Sequence, residues 1–140
     1  MERQPLVPLN YHIDNDAGLI TLSGHDSVDV DELVRCGTAL LEDAAFDNRL
    51  PHLLDLREAH FDLTQRDATQ QPVGLTAMID EINRRVAASI AVIVPPALPT
   101  HQIAEIYRLT CQFSHAELFE DYDHALRWLI KSEFADAVVS

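Results

Sequence analysis

The stretch Ser89-Ile90-Ala91-Val92-Ile93-Val94-Pro95-Pro96 decides how this chain folds. After Ser89 it is apolar at every position up to the prolines, with none of the alternation of a strand that has one wet face. A short run of this kind, stopped by two prolines, predicts a strand covered on both faces, as in a parallel sheet. Strands of a parallel sheet are joined by helical crossovers, so helices are expected on either side of it.

Both flanks carry helical patterns. Upstream, Pro72 suits the first position of a helix that ends near Arg85. Whether 65–71 is a preceding helical turn or a loop stays open. Downstream, Thr100 is placed to cap a helix with Ile103, Ile106, Tyr107, Thr110 and Cys111 inward. Further upstream a long helix is predicted over 30–45, with Asp29 as cap and Glu32 three residues on. Val30, Leu33, Val34, Gly37, Leu40, Leu41 and Ala44 form its apolar stripe.

Tyr11-His12-Ile13-Asp14 and Leu19-Ile20-Thr21-Leu22-Ser23 alternate around the turn residues Asn15-Asp16-Ala17-Gly18, which predicts a β-hairpin ended by Gly24. His52-Leu53-Leu54-Asp55-Leu56 reads as a short strand that turns at Asp55-Leu56-Arg57. Ala116-Glu117-Leu118-Phe119 is a last strand, followed by a helix with Ala125, Leu126, Leu129 and Ile130 on its apolar face. The expected fold is α/β, one domain of order β-β-α-β-α-β-α-β-α: a mostly parallel sheet of about five strands, an N-terminal β-hairpin and four helices. The hairpin's first strand is expected to be antiparallel, at or near an edge. The expected boundaries are an N-terminal extension over 1–9, the domain over 10–134 and a frayed tail over 135–140.

Composition bounds the function. With 140 residues, 47% of them apolar and 24% charged, the chain suits one soluble domain with its own core. No apolar run approaches the ~20 residues needed to cross a bilayer. Met1-Glu2-Arg3-Gln4-Pro5 lacks a signal peptide's apolar stretch, so a cytoplasmic location is expected. Cys36 and Cys111 both fall in helical patterns and read as reduced core residues. Ten basic residues against 23 acidic ones leave a formal charge of −13. Such a field repels phosphate backbones and anionic membranes, which argues against nucleic-acid binding.

Four features of the chain resemble the STAS superfamily, the small SpoIIAA-like domains of anti-sigma-factor antagonists, and more closely an uncharacterised bacterial subgroup with the same architecture. They are Leu22-Ser23-Gly24, the strand with Asp55-Leu56-Arg57, the apolar strand ending at Val94, and the closing run from Phe119-Glu120-Asp121-Tyr122 to Leu126-Arg127-Trp128-Leu129. The resemblance spans roughly residues 10–131. It implies a partner-binding domain in which a serine after the central strand is phosphorylated, adding charge at the interface. The matching stretch here is Asp62-Leu63-Thr64-Gln65. Asp62 fits and Thr64 offers the hydroxyl, whereas Leu63 and Gln65 depart from the pattern and its glycine is missing. Thr64, with Asp67 three residues later, reads first as a helix N-cap.

Ligands of open parallel sheets bind beyond the carboxyl ends of the strands. The residues expected there are His25 and Asp26, then Arg57, Glu58, His60 and Asp62, then Glu120 and Asp121. His25, Asp26, His60 and Asp62 have ligand chemistry for a divalent metal, without the spacing of a helical metal site. Arg57, with Asp55 or Glu58, suits either a clamp for an anion or an ion pair with a carboxylate from a neighbouring strand end. Ser23, His25 and Asp62 supply a serine, a histidine and an acid, but the chain lacks a nucleophile elbow and any glycine-rich phosphate loop. Tyr107, Phe113, Phe119 and Trp128 read as core; if Tyr107, Phe113 and Trp128 leave a space, a small apolar ligand or lipid suits it. The expected function is therefore non-enzymatic, without cofactor or metal. It acts through protein–protein contact with an unknown partner or as a homodimer; the alternative is an apolar-ligand carrier with a pocket between sheet and helices.

Overall fold

The computed structural model describes the backbone of residues 8–62, 73–95 and 98–139, and the side chains of all of these but 61, 62, 73, 74, 101 and 132–139. Thr64, the segment 65–71 and Pro72 lie outside the described residues. The elements are β1 (Leu9–Asp14), β2 (Leu19–Asp29), α1 (Val30–Leu41), β3 (His52–Asp62), α2 (Val73–Arg85), β4 (Ile90–Ile93), α3 (Thr100–Thr110), β5 (Ala116–Phe119) and α4 (Tyr122–Val139). This is the expected order. Five strands form one sheet in the order β1-β2-β3-β4-β5. β1 pairs antiparallel with β2 at the edge, and every other neighbouring pair is parallel.

Each crossover from β2 onward moves one strand further in the same direction. Right-handed connections then put α1, α2 and α3 on one face and leave α4 to cover the other. The packing agrees. Leu33 and Cys36 of α1 and Ile106 of α3 meet Leu56 and Val92, while Ala125 and Leu129 of α4 meet Leu53, Ala91 and Ile93. Alternate residues of β4 thus face opposite layers, which is why its sequence is apolar throughout. Burying each Leu or Ile of this kind contributes about 1.5–3 kcal/mol.

Three departures from the sequence reading have local causes. Gly24 does not end β2, and β3 does not turn at Asp55-Leu56-Arg57; both strands run on, to Asp29 and Asp62. Ser23 pairs with Asp55 but His25 pairs with Glu58, so β3 carries one extra residue, a bulge at Leu56-Arg57 opposite Gly24. A Cβ on Gly24 would sit 2.9 Å from Leu56 Cδ2, so the glycine serves close packing across the bulge.

Second, α1 stops at Leu41, short of the expected Ala45. Asp43 accepts from the Tyr11 hydroxyl at 2.6 Å and from Ala45 N at 2.9 Å, which draws the chain out of the helix. At the other end the Asp29 cap is present, with Oδ1 accepting from Glu32 N at 2.9 Å.

Third, the apolar stripes of α3 and α4 are wider than the surface they cover. Ile106 and Thr110 are buried, but Ile103, Tyr107 and Cys111, read as inward, form an exposed row beside them. Only Cys36 of the two cysteines is a core residue. Thr100 is the first residue of α3 rather than its cap, a place taken by Pro99. On α4, Ala125 and Leu129 are buried while Ile130 is 61% exposed, and the helix runs to Val139, through the segment expected to fray. No helix among the described residues is long and apolar enough to cross a membrane.

Candidate functional site

The long β2 and β3 carry the expected polar residues along a two-stranded projection past the end of β4. His25 lies beside Glu58 and Ser27 beside His60. His25 Nδ1 is 3.1 Å from Asp26 Oδ2, and Asp26 holds a left-handed φ of 57°. Arg57 donates through Nε to Asp55 Oδ1 at 2.9 Å and through Nη2 to Oδ2 at 2.7 Å, with its guanidinium 5.2 Å from the Tyr122 ring centroid. This contact holds the Asp55 carboxyl below its ordinary range. Arg57 is therefore the ion-pair partner of Asp55. Glu58 and His60 are exposed. Asp62 pairs in register with Asp29, and its side chain lies outside the described residues. Among the described residues no group of three or more His, Cys, Asp or Glu is placed to hold a metal ion.

The three aromatic residues proposed to line a pocket are not together. Tyr107 is 61% exposed on α3. Trp128 lies on the α4 face of the sheet, its ring centroid 5.4 Å from that of Phe119. Phe113 alone borders a cavity.

That cavity, of about 80 Å³, lies between the sheet and helices α1 and α2. Its floor includes His52, Leu54 and Val92, and its roof Leu40, Met78 and Ile82. A second void of about 50 Å³ lies against it, sharing Leu33, Leu54, Met78, Val92 and Phe113 as walls. Gly37 on α1 lets α2 come close, since a Cβ there would run into the Met78 side chain. His52 and Ile90 begin β3 and β4 and both border the larger void, which therefore lies toward the amino ends of the parallel strands. The polar residues expected at a ligand site lie at the opposite end, whereas a pocket between sheet and helices touching Phe113 was the alternative expected.

His52 is the unusual member of the lining. It is 5% exposed, its backbone N–H donates to Ser89 O at 3.0 Å, and its Nδ1 is buried with no hydrogen-bond partner among the described residues. Burial pushes its pKa down to about 4, so the ring is neutral near pH 7. Gln102 Oε1 is also buried without a partner, but Gln102 does not border the cavity. Leaving such a group unpaired costs about 1–3 kcal/mol. Phe46 packs on His52 at 6.2 Å between centroids, and the Arg85 guanidinium lies 5.3 Å from the Phe46 centroid. Phe46 and Arg85 also line an open surface cleft with Asp47 and Arg49, so a polar cleft sits across Phe46 from His52. The sequence signal for His52 was present: it begins the apolar run Leu53-Leu54 and shares the strand face of Leu54.

No protein-family model matches the chain, and no curated protein matches it. Among solved structures it is similar to an uncharacterized protein from the DUF3478 family with a SpoIIAA-like fold, from Shewanella loihica PV-4. The TM-score is 0.54 and the identity 18%, over 86% of this chain and 91% of that one. At that identity the likeness is one of fold. The chain is an α/β domain with a SpoIIAA-like fold, as the four sequence features implied.

Proposed function

We propose that the domain binds a small apolar molecule between the sheet and helices α1 and α2, without catalysing a reaction. One observation carries this reading: an apolar cavity lined by His52, whose Nδ1 is buried and has no hydrogen-bond partner among the described residues. Apolar cavities stay dry and accept apolar guests; one of about 150 Å³ takes benzene. The two voids approach that size together once Met78 turns aside, and an unbranched thioether changes rotamer readily. The guest is therefore of the size of a small aromatic ring. Melting curves with increasing toluene test the reading. The melting temperature should rise with concentration as mass action requires. Val92→Leu, which extends a wall shared by both voids, should blunt the rise. A melting temperature unmoved up to the solubility of toluene rejects the reading.

A second reading is favoured by α3, where Ile103, Tyr107 and Cys111 form an exposed row. Here the domain acts through protein contact, as a homodimer joined across α3. Two copies at −13 repel each other, so such a dimer should tighten as salt screens the charge. Sedimentation equilibrium should then show a dimer that strengthens with salt and is lost in Tyr107→Asp. A monomer at every salt concentration, at tens of micromolar protein, excludes it.

A further inference from the structure

We infer that His52 sets the chemistry of the guest: the cavity takes a small apolar molecule bearing one hydroxyl, which hydrogen-bonds to His52 Nδ1. This rests on the apolar-binding reading above and adds its selectivity. The lining is aliphatic and aromatic apart from the imidazole, so a guest with several polar groups would leave most of them unpaired, at a cost. A neutral imidazole has one donor and one acceptor nitrogen, and the tautomer decides which one Nδ1 is. A hydroxyl both donates and accepts, so it satisfies Nδ1 in either tautomer, whereas a carbonyl oxygen only accepts. A carboxylate is excluded more strongly, because its charge would be buried against a ring that burial keeps neutral.

The position of His52 supports the same assignment. Its backbone is fixed by pairing with β2 on one side and β4 on the other, and Phe46 packs against the ring. A ring held in this way presents Nδ1 at a fixed place and recognises a hydroxyl at little further ordering cost. Thr110, the other polar residue bordering the voids, lines only the smaller one and has its proton committed, its Oγ1 donating to Ile106 O at 2.7 Å.

Phenol and toluene differ by a hydroxyl in place of a methyl group and serve as the two probes. Their affinities are measured by calorimetry for the intact wild-type chain and for His52→Leu, so that the different hydration of the probes cancels in the comparison. The preference for phenol over toluene should fall by about three- to tenfold in His52→Leu, the net contribution of one neutral hydrogen bond. If both probes bind and the preference is unchanged, the inference is wrong while apolar binding stands. If neither probe binds the wild-type chain, the binding reading fails and takes this one with it. Should His52→Leu not fold, ¹⁵N spectra of the wild-type imidazole decide the matter. Phenol should move the Nδ1 resonance and toluene should not; an unmoved resonance in saturating phenol overturns the inference.

Discussion

The two ends of the parallel strands treat polar groups in opposite ways. At the carboxyl ends, Asp55 pairs with Arg57, His25 with Asp26, and Glu58 and His60 face water. At the amino ends one imidazole is buried among aliphatic side chains with its Nδ1 unpaired. The polar-rich end gives up little hydration on folding and gains little from its pairs, because exposed ion pairs are screened. The polar-poor end holds a group whose lost hydration nothing among the described residues replaces. The unsatisfied polar group, rather than the density of polar residues, is what singles out the amino ends as the candidate site.

The largest expected effect is on pH dependence. A histidine whose pKa falls from 6.5 to about 4 on folding gives stability that is fully present above the unfolded value. As the pH falls from about 7 to about 4, the unfolded chain takes up the proton first, and about 3 kcal/mol is lost. Urea unfolding at several pH values should show this loss in the wild type and a flatter profile in His52→Leu. Carboxylates such as Asp55 contribute equally to both proteins. Parallel profiles would mean that His52 is solvated and that the two ends do not differ.

Near pH 7 the same His52→Leu substitution should stabilise the fold by about 1–2 kcal/mol, because it removes an unpaired polar group and keeps the apolar volume. Chemical denaturation reads this directly, and a loss of stability would show that Nδ1 has a partner. At the carboxyl end, Gly24→Ala should cost about 1 kcal/mol, since its Cβ meets Leu56 Cδ2 at 2.9 Å and that side chain can yield in part. Arg57→Ala should cost less than about 1 kcal/mol, and less again in high salt, because the Arg57–Asp55 pair is partly exposed. A carboxyl-end effect larger than that of His52 would reverse the comparison.

Much of the fold was legible before the structure. Period-two and helical patterns place all nine elements in order, and the hairpin turn at Asn15-Asp16-Ala17-Gly18 puts β1 at the edge. The bulge was not legible, because a glycine in a strand and a glycine after one look alike until the register of the neighbouring strand is known. The exposed row on α3 was not legible either, since periodicity gives the direction of an apolar stripe and not how much surface there is to cover. The site was the least legible part. His52 is unusual only once Phe46, Met78 and Val92 surround it, and those come from separate parts of the chain. The rule that ligands bind at the carboxyl ends also pointed away from the cavity, because it describes crevices in open sheets and not voids left under crossover helices.

Methyl NMR of the intact chain during a toluene titration is the sharpest test of apolar binding in the cavity. Saturable shifts of the Met78, Leu54 and Val92 methyl resonances are expected, with Leu129 on the opposite face of the sheet unmoved. Resonances that stay in place, or shifts confined to the exposed Ile103 and Ile130, would contradict it.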